Sequence, residues 1–546
     1  MAHKNESTPP APIERSIPEN SNAERKTDLD SSMVRQAHHQ IRQAHCKPEQ
    51  NRGIGAGSGL PQGAPEDAGV SKLEQDRQAK LSRIKELGID PYGTRYDGAE
   101  PAAEVKRRYK DGDETQQAKC AGRIVLLREM GSLTFITLRD SSGTIQIGLS
   151  KKLLGQQWQL AKLLELGDII GAQGQLGKTK TGEITIWVAE GGLTLLSKCL
   201  CQPPEKFHGL ADVDQRFRYR FIDLWANPEV MERFKKRSVI ITTIRQFLEL
   251  KGFLEVETPM MQAIAGGAAA KPFVTHHNSL DLDLYLRISP ELFLKRLLVG
   301  GMEKVFEINR NFRNEGLSRV HNPEFTMLEL YQAYADYNVM MDLTEEIICL
   351  CVQKHCPSTQ VHFGDLTVDF SRPFRRLQYA ELLKQYSGCD IDDIKAIRTK
   401  AKQLTLDETG MDDAVVINAV FEATVEDNLV APTFVIDYPA ALCPLTKRKK
   451  ENEKVAERFE LYIAQMELAN AYTELNDPAE QYQNFLTQLR GQEESIRTMD
   501  KDYITALKYG MPPAGGLGIG IDRLVMMLTG AKSIRDVVLF PLLRSV

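Results

Sequence analysis

The chain has 546 residues, 42% of them apolar, which is enough for two or three domains with packed cores. Its net charge of −5 excludes a protein that coats nucleic acid through global positive charge, so any such contact must be local. The sequence has no apolar run of the roughly 18 residues that a membrane helix needs, and its start lacks the apolar segment of a secretory signal.

Residues 1–70 are rich in Pro, Ser, Gln, His and Gly without apolar periodicity, which predicts a disordered tail. A basic amphipathic helix is predicted for residues 71–87. Between Lys119 and Leu196, five short alternating runs with a helical piece before the fourth predict an OB-fold β-barrel. The chain thus divides into a disordered tail (1–70), a basic helix with a barrel (71–205) and a larger α+β domain (206–546).

The nine cysteines are dispersed and odd in number, which is typical of a reducing compartment, so we expect a cytoplasmic protein that does not bind membranes. Two groups of cysteines, Cys199-Leu-Cys201 and the segment Cys349–Cys356, invite interpretation as metal sites. Neither has the C-x₂-C spacing of a zinc site, so core packing is the favoured interpretation.

The segment from Phe312 to Tyr331 places many charged residues around single apolar ones. Strand alternation puts Phe325, Met327, Glu329 and Tyr331 on one face, with the Phe325 ring and the Glu329 carboxylate roughly 13 Å apart. That separation suits a ligand with a flat ring at one end and a cation at the other. The run before it also alternates, which predicts a hairpin with one polar face. A solvated edge held by salt bridges is the alternative interpretation.

Two later segments share this character. One strand carries an amide, an aromatic ring and a carboxylate on a single face: Asn470, Tyr472 and Glu474. In the other, alternate glycines leave one strand face open to a ligand: Gly516, Gly518 and Gly520. We expect Asp522 to cap the helix that follows. Arg523 in its first turn opposes the helix dipole, which favours an anionic ligand there.

Together these segments resemble the signature motifs of class II aminoacyl-tRNA synthetases: Gly252–Met261 resembles motif 1, Phe312–Tyr331 motif 2 and Gly516–Leu524 motif 3. From about residue 75 onward the chain resembles the bacterial-type lysyl-tRNA synthetases, with an extra N-terminal tail. The resemblance implies an α+β catalytic domain, an antiparallel sheet flanked by helices, preceded by an OB-fold anticodon-binding domain. It also implies a homodimer with motif 1 at the interface.

The implied activity is that of a lysine–tRNA ligase. L-lysine is activated by ATP, with Mg²⁺ as cofactor, to lysyl-adenylate and then transferred to the 3′ end of tRNA(Lys). Arg313 and Arg523 are the implied catalytic residues, because they would stabilise charge on the phosphates.

The resemblance also assigns binding residues. The implied ATP-binding residues are Arg313, Glu315, His321, Asn322, Phe325 and Arg523. The implied lysine-binding residues are Gly267, Glu291, Glu329, Tyr331, Asn470, Tyr472 and Glu474. Mg²⁺ would be held by Glu460 and Glu467, since it prefers oxygen ligands. The implied anticodon-binding residues are Arg128, Phe135, Gln146 and Glu183.

Several alternatives stay open. Strand alternation puts Glu467 on the face opposite Asn470 unless a bulge lies between them, and the turn before it has Ala464-Gln465 where the family often has glycine. Glu291 also fits the charge of a helix N-terminus after Ser289-Pro290. Taken alone, Phe135 is more often a core ring. At the level of function, the alternatives are a sister synthetase for aspartate or asparagine, and a catalytically inactive RNA-binding or regulatory homologue.

Overall fold

The computed structural model describes residues 72–201, 212–267, 270–490 and 499–543. The predicted tail, residues 1–70, lies outside the described residues. Within the described ranges, no helix combines the length and apolar character needed to cross a membrane.

A small barrel forms the first part of the described chain. Two helices precede it, α1 (Lys72–Glu86) and α2 (Ala102–Arg108). Its strands are β1 (Gln117–Met130), β2 (Leu133–Arg139), β3 (Thr144–Ser150), β4 (Ile169–Lys178) and β5 (Ile184–Ser197). They close in the order β1-β2-β3-β5-β4. Two short helices, α3 (Lys151–Leu154) and α4 (Trp158–Ala161), lie between β3 and β4, so the predicted OB-type barrel is confirmed.

The larger α+β part opens with helices and then forms the predicted hairpin. The helices are α5 (Val213–Arg218), α6 (Arg220–Ala226) and α7 (Pro228–Leu250). The next strands are β6 (Leu254–Glu255), β7 (Met261–Gln262), β8 (Val274–His277) and β9 (Leu282–Leu286). Helix α8 (Glu291–Val299) leads into β10 (Lys304–Phe312) and β11 (Glu324–Ala333), which pair antiparallel over their whole length.

The remaining elements surround and complete the sheet. They are α9 (Tyr337–His355), β12 (Gln360–Phe363), β13 (Leu366–Asp369), β14 (Arg375–Gln378), α10 (Tyr379–Ser387), α11 (Ile394–Gln403) and α12 (Asp413–Val425). The chain continues through β15 (Thr433–Pro439), β16 (Val455–Ile463), β17 (Met466–Thr473), α13 (Pro478–Arg490), α14 (Lys501–Lys508), β18 (Ala514–Gly520) and α15 (Ile521–Thr529).

Eight strands form the main sheet in the order β14-β15-β16-β17-β18-β11-β10-β6. All neighbours except the two outermost pairs run antiparallel, which confirms the expected fold class. One face packs on α9 and α15 through a continuous apolar core. Cys351 of α9 is buried in that core, and Cys349 and Cys356 pack against it. The other face of the central strands carries the polar residues of the site.

The cap predicted at Asp522 is wrong, because α15 begins at Ile521 and Asp522 lies in its first turn. The Asp522 carboxylate accepts a hydrogen bond from the Thr326 backbone N–H at 2.6 Å and one from Arg237 at 2.5 Å. Since β11 and α7 both supply donors to this buried side chain, it ties the helix to the hairpin instead of capping it.

Candidate active site

The glycine strand β18 lies between β11 and β17 and forms the floor of a site. Gly518 pairs with Glu329 on one side and Asn470 on the other, and Gly516 pairs with Tyr331 and Tyr472 in the same way. Because glycine has no side chain, the polar groups of both neighbours face a shared open space. The alternation seen in the sequence therefore brings together residues from three motifs.

A cavity of about 320 Å³ lies along Gly518 and Gly520 of this strand, between β11 and β17. Its size falls in the range of small-molecule sites. Its lining combines the Phe325 ring with many polar and charged residues: Arg313, Glu315, His321, Asn322, Thr326, Arg458, Glu460, Glu467, Asn470, Asp522 and Arg523. All six predicted ATP-binding residues and both predicted metal-binding residues are among them.

Arg313 and Phe325 face each other at one end of the cavity. The Arg313 guanidinium lies over the Phe325 ring, 5.1 Å from its centroid, which is a cation–π contact. The buried Nε of Arg313 has no hydrogen-bond partner among the described residues, and neither does the buried Oδ1 of Asn322. Buried polar groups are normally paired, so these two atoms indicate that a polar ligand completes the site.

Arg523 also lines the cavity and bonds to residues of two neighbouring segments. It donates to the Glu467 backbone carbonyl at 2.6 Å and to the Glu467 carboxylate at 3.2 Å. Nη2 of Arg523 lies 2.9 Å from Nε2 of His321. On the other side of the imidazole ring, Nδ1 of His321 lies 2.8 Å from the Ser318 hydroxyl. Burial first, and the Arg523 charge second, lower the pKa of His321. A neutral His321 accepts the Arg523 hydrogen bond, so the two side chains hold the loop between β10 and β11.

A β-bulge resolves the position of Glu467. Leu461 pairs with Ala469 but Tyr462 pairs with Glu467, so Leu468 is the extra residue in β17. The bulge inverts the alternation, and Glu467 joins Asn470 at the cavity. The turn before it uses Ala464 and Gln465 at φ of 50° and 65°, the left-handed region usually reserved for glycine or asparagine.

Glu460 is held from three sides. Its Oε2 accepts hydrogen bonds from the hydroxyls of Tyr438 and Tyr462, both at 2.7 Å, and Arg458 pairs with its Oε1. Arg458 also donates from Nε to Oδ1 of Asn470 at 3.0 Å. That bond fixes the Asn470 amide with its NH₂ group turned away from Arg458. The sequence interpretation missed Arg458, although it lies two residues before Glu460 in a strand and so shares its face.

The residues present fit a Mg²⁺ ion bound together with phosphates. Such ions take one or two carboxylates plus substrate phosphate oxygens, and Glu460 and Glu467 supply two carboxylates to one wall. Among the described residues, no group of three or more His, Cys, Asp or Glu side chains is arranged so that it could hold a metal ion without other ligands.

The predicted lysine-binding carboxylates form a buried cluster beside the cavity. Glu291, Glu329 and Glu474 are 4%, 5% and 0% exposed. Glu291 opens α8 and accepts a hydrogen bond from the Tyr472 hydroxyl at 2.6 Å. Lys295, one turn later on α8, pairs with Glu291 at 2.8 Å and also with Glu474. Sequence interpretation missed Lys295, although the i, i+4 spacing from Glu291 was a usable signal.

Glu329 differs from the other two carboxylates because its direct partners are neutral. The Ser289 hydroxyl lies 2.9 and 3.1 Å from its two oxygens, and the Tyr331 hydroxyl lies 3.3 Å from Oε2. Burial, and then the Glu291 charge, raise the pKa of Glu329 to about 7. A cation placed against it would therefore meet a carboxylate that has no other direct cationic partner among the described residues.

Two glycines leave room for this cluster. A Cβ on Gly516 would lie 1.9 Å from Oε1 of Glu474 and 2.6 Å from the Tyr331 ring. Gly267 has a φ of 88° and lies against Ser289 and Glu291, in a groove that also reaches Asn470 and Tyr472. Oε1 of Glu474 has no hydrogen-bond partner among the described residues. The structure therefore brings all seven predicted lysine-binding residues to one region.

The barrel presents a separate row of residues on its outer surface. Arg128, Phe135, Gly148 and Trp187 lie side by side across four strands. The Phe135 ring is half-buried and meets Trp187 edge-on at 5.8 Å between centroids. Residues on either side of Phe135 fill the barrel, so its ring faces outward and is not a core ring.

The two other predicted anticodon-binding residues flank this row. Gln146 donates to the Thr185 hydroxyl at 2.9 Å. Glu183 lies in the exposed β4–β5 turn and pairs with Lys106 of α2 at 3.1 Å. Aromatic rings with neighbouring polar groups on an open surface suit the stacking and edge contacts that recognise unpaired bases.

Comparison with known proteins agrees with this arrangement. Residues 212–544 match the family model of the class II tRNA synthetases (D, K and N), and residues 118–191 match that of the OB-fold nucleic acid binding domain. The chain therefore belongs to the class II tRNA synthetases.

Comparison with individual relatives shows to which group within the class II tRNA synthetases the chain is most similar. The lysine–tRNA ligase of Carboxydothermus hydrogenoformans is 52% identical over 485 residues, which cover 87% of this chain and 98% of the relative. That of Pelotomaculum thermopropionicum is 49% identical over 497 residues, 89% of this chain and 98% of the relative. That of Magnetococcus marinus is 50% identical over 489 residues, 85% of this chain and 95% of the relative. Within its class, the chain belongs to the lysine–tRNA ligases.

Proposed function

We propose that this chain activates L-lysine with ATP in the glycine-floored site and transfers the lysyl group to tRNA(Lys). The observation that carries the proposal is the juxtaposition of two different regions on one sheet. An arginine-lined cavity with unpaired buried polar atoms adjoins a buried cluster of three carboxylates. The first suits a nucleotide, and the second suits an amino acid that carries an additional ammonium group.

ATP would bind with its adenine against Phe325 and its phosphates between Arg313 and Arg523. A carboxylate oxygen of lysine attacks the α-phosphorus, the bond to pyrophosphate breaks, and lysyl-adenylate forms. The protein needs no nucleophile for this step, so positioning and charge stabilisation supply the catalysis. Arg313, with its unpaired Nε, is placed to meet the charge that develops on the α-phosphate.

Glu315, His321 and Asn322 would shape the β10–β11 loop around the nucleotide. Mg²⁺, held by Glu460 and Glu467, would supply positive charge between the phosphates. Tyr438, Tyr462 and Arg458 keep the Glu460 carboxylate oriented toward the cavity.

Lysine would lie beyond the α-phosphate, beside Glu329 and the Glu474 oxygen that covers Gly516. The Asn470 amide, oriented by Arg458, would donate to its carboxylate. Glu329 and the open Oε1 of Glu474 would receive its ammonium groups, with Tyr331 and Tyr472 closing the sides. An aspartate or asparagine side chain would instead bring an acid or amide to three carboxylates, which is unfavourable.

In the second step, a terminal ribose hydroxyl of tRNA attacks the lysyl carbonyl, and AMP leaves. The outer row of the barrel, with Phe135 and Arg128, would stack on anticodon bases and contact the backbone.

We further propose a homodimer. Large apolar residues around motif 1 are exposed in the single chain, including Leu254, Met261 and Val274. Exposed apolar patches of this kind mark protein interfaces. The dispersed cysteines agree with a cytoplasmic location.

Pyrophosphate exchange with each of the twenty amino acids, without tRNA, tests the activity. We expect exchange with lysine and none of comparable efficiency with aspartate, asparagine or the non-standard amino acid norleucine, which lacks the side-chain ammonium. Exchange with aspartate or asparagine would instead identify a sister synthetase. No exchange with any amino acid, combined with retained tRNA binding, would identify an inactive RNA-binding homologue.

A further inference from the structure

The lysine-binding cluster contains a lysine of its own. Lys295 is fully buried, so water does not solvate its ammonium group. Its Nζ lies 2.8 Å from Oε1 of Glu291, pairs with Oε2 of Glu474, and lies within 6 Å of the ring centroids of Tyr472 and Tyr503. Burial opposes the charged form, but the Glu291 and Glu474 carboxylates outweigh it and hold the pKa of Lys295 well above its usual value, so Lys295 stays charged.

The cluster has a simple charge balance. Three carboxylates, Glu291, Glu329 and Glu474, have one directly paired cation among the described residues, Lys295. The charge of Arg287 also acts on Glu329, but Arg287 pairs with the Glu307 carboxylate, so that pair adds no net charge. When all are ionised, their total charge is two units negative, because three negative charges meet one positive charge. Free lysine has two ammonium groups, on its α-carbon and on its side chain.

These ion pairs and hydrogen bonds also determine which carboxylate oxygens of the cluster remain free to accept a bond from a ligand. Glu291 uses one oxygen for Lys295 and the other for the Tyr472 hydroxyl. Glu474 uses Oε2 for Lys295, which leaves its Oε1 over Gly516 without a hydrogen-bond partner among the described residues. Glu329 keeps both oxygens on neutral hydroxyls. Two acceptor groups thus remain for two incoming ammonium groups.

We propose that Lys295 is a positioning residue that acts as the built-in counter-ion of the lysine pocket. It aims Glu474 at the substrate and sets the charge of the pocket to match a diamino acid. The inference rests on the proposed function, because it assumes that lysine occupies this cluster.

The competing explanation is a purely structural ion pair. Buried ion pairs can often be replaced by apolar residues without loss of stability, so burial alone does not show a role in binding. The two explanations differ in which ligand is affected. A counter-ion of the pocket changes lysine affinity selectively, whereas a general structural role changes lysine and ATP affinity together.

The first experiment measures lysine and ATP dissociation constants of the full chain by calorimetry for Lys295→Met, which keeps the length and removes the charge. Lys384→Met, at an exposed pair with Asp390, is the matched control. We expect lysine binding to weaken by about 100-fold, as when one partner of a buried pair is lost, with ATP binding changed by less than about twofold. The control variant should match the native protein.

The second experiment uses Lys295→Ala and n-propylammonium, which has the atoms that this substitution removes beyond Cβ. The amine should restore lysine affinity at least tenfold, and n-propanol, of similar size but neutral, should not. Thermal unfolding of the variant is measured with the same two compounds, so that rescue of folding is separated from rescue of lysine affinity.

Three outcomes would overturn the inference. They are lysine affinity of Lys295→Met within threefold of native, equal losses of lysine and ATP affinity, and equal rescue by n-propanol. Native protein that lacks lysine-dependent exchange would instead refute the proposed function, so the two failures are distinguishable.

Discussion

The raised pKa of Glu329 makes lysine binding depend on pH. In the free protein this pKa is about 7, because the carboxyl group is buried beside Glu291. A bound ammonium group stabilises the ionised form and lowers that pKa, so binding releases a proton below neutral pH. Lysine affinity should therefore rise with pH and level off above the free-protein pKa.

The size of the effect follows from this pKa. At pH 6 the free carboxyl is protonated in about ten molecules of eleven, so lysine should bind roughly tenfold more weakly than at pH 8. At pH 7 lysine should bind about twofold more weakly than at pH 8, and roughly half a proton should be released per lysine bound.

Glu329→Gln provides the matched variant, since it keeps size and removes the titration. We expect its lysine affinity to be roughly 10²- to 10³·⁵-fold weaker and constant from pH 6 to 8. Because ionising a buried carboxyl opposes folding above its unfolded-state pKa, the variant should also gain stability at pH 8, on the order of 3 kcal/mol.

Calorimetry in buffers of different ionisation enthalpy measures both affinity and proton release. ATP binding over the same pH range is the internal control. A native lysine affinity that changes less than twofold between pH 6 and 8 would refute the assignment of Glu329 as partner of a substrate ammonium.

Three further outcomes are expected. Phe135→Ala should weaken tRNA charging by about 1–3 kcal/mol and leave tRNA-independent pyrophosphate exchange intact, since one base stack is lost; equal losses would show a structural role for the ring. Gly516→Ala should abolish lysine binding while the protein still folds, because its Cβ would lie 1.9 Å from Glu474; calorimetry that finds native lysine affinity would contradict the described floor. Ala464→Gly should raise the free energy of unfolding by about 0.5–1 kcal/mol, because the turn there is left-handed; denaturant titration that shows a loss would mean the turn is unstrained.

The elements that the sequence predicted well are those with local signals. Alternation over a few residues marks the β10–β11 hairpin and the barrel strands, and it also places Phe325 and Glu329 on one face. The three alternate glycines of β18 identify the floor in the same way. In each case the deciding pattern lies within one strand, so no distant contact is needed to interpret it.

Arg458 and the Lys295–Glu291 pair had local signals that sequence reasoning overlooked, whereas the other missed features depend on contacts between distant segments. Lys295 pairs with Glu474 across the fold, and no local pattern in either segment points to the other. The sequence predicts that Asp522 caps a helix, but its carboxylate accepts hydrogen bonds from Arg237 of α7 and from the Thr326 backbone N–H of β11. A tertiary hydrogen bond that replaces a local helix cap cannot be predicted from the sequence pattern, because it depends on how distant elements pack together.

The bulge at Leu468 makes the number of residues between the turn and Asn470 as important as their identity. Because Leu468 is an extra residue, Glu467 and Asn470 share a face although they are three positions apart. Deletion of Leu468 would leave them two positions apart and still on that face, whereas one residue inserted between them would move Glu467 to the opposite face of the sheet. We therefore expect deletion of Leu468 to be tolerated better than insertion of one residue between Glu467 and Asn470. In an alignment with relatives, a one-residue gap opposite Leu468 thus keeps the Glu467 carboxylate on the face of the active site.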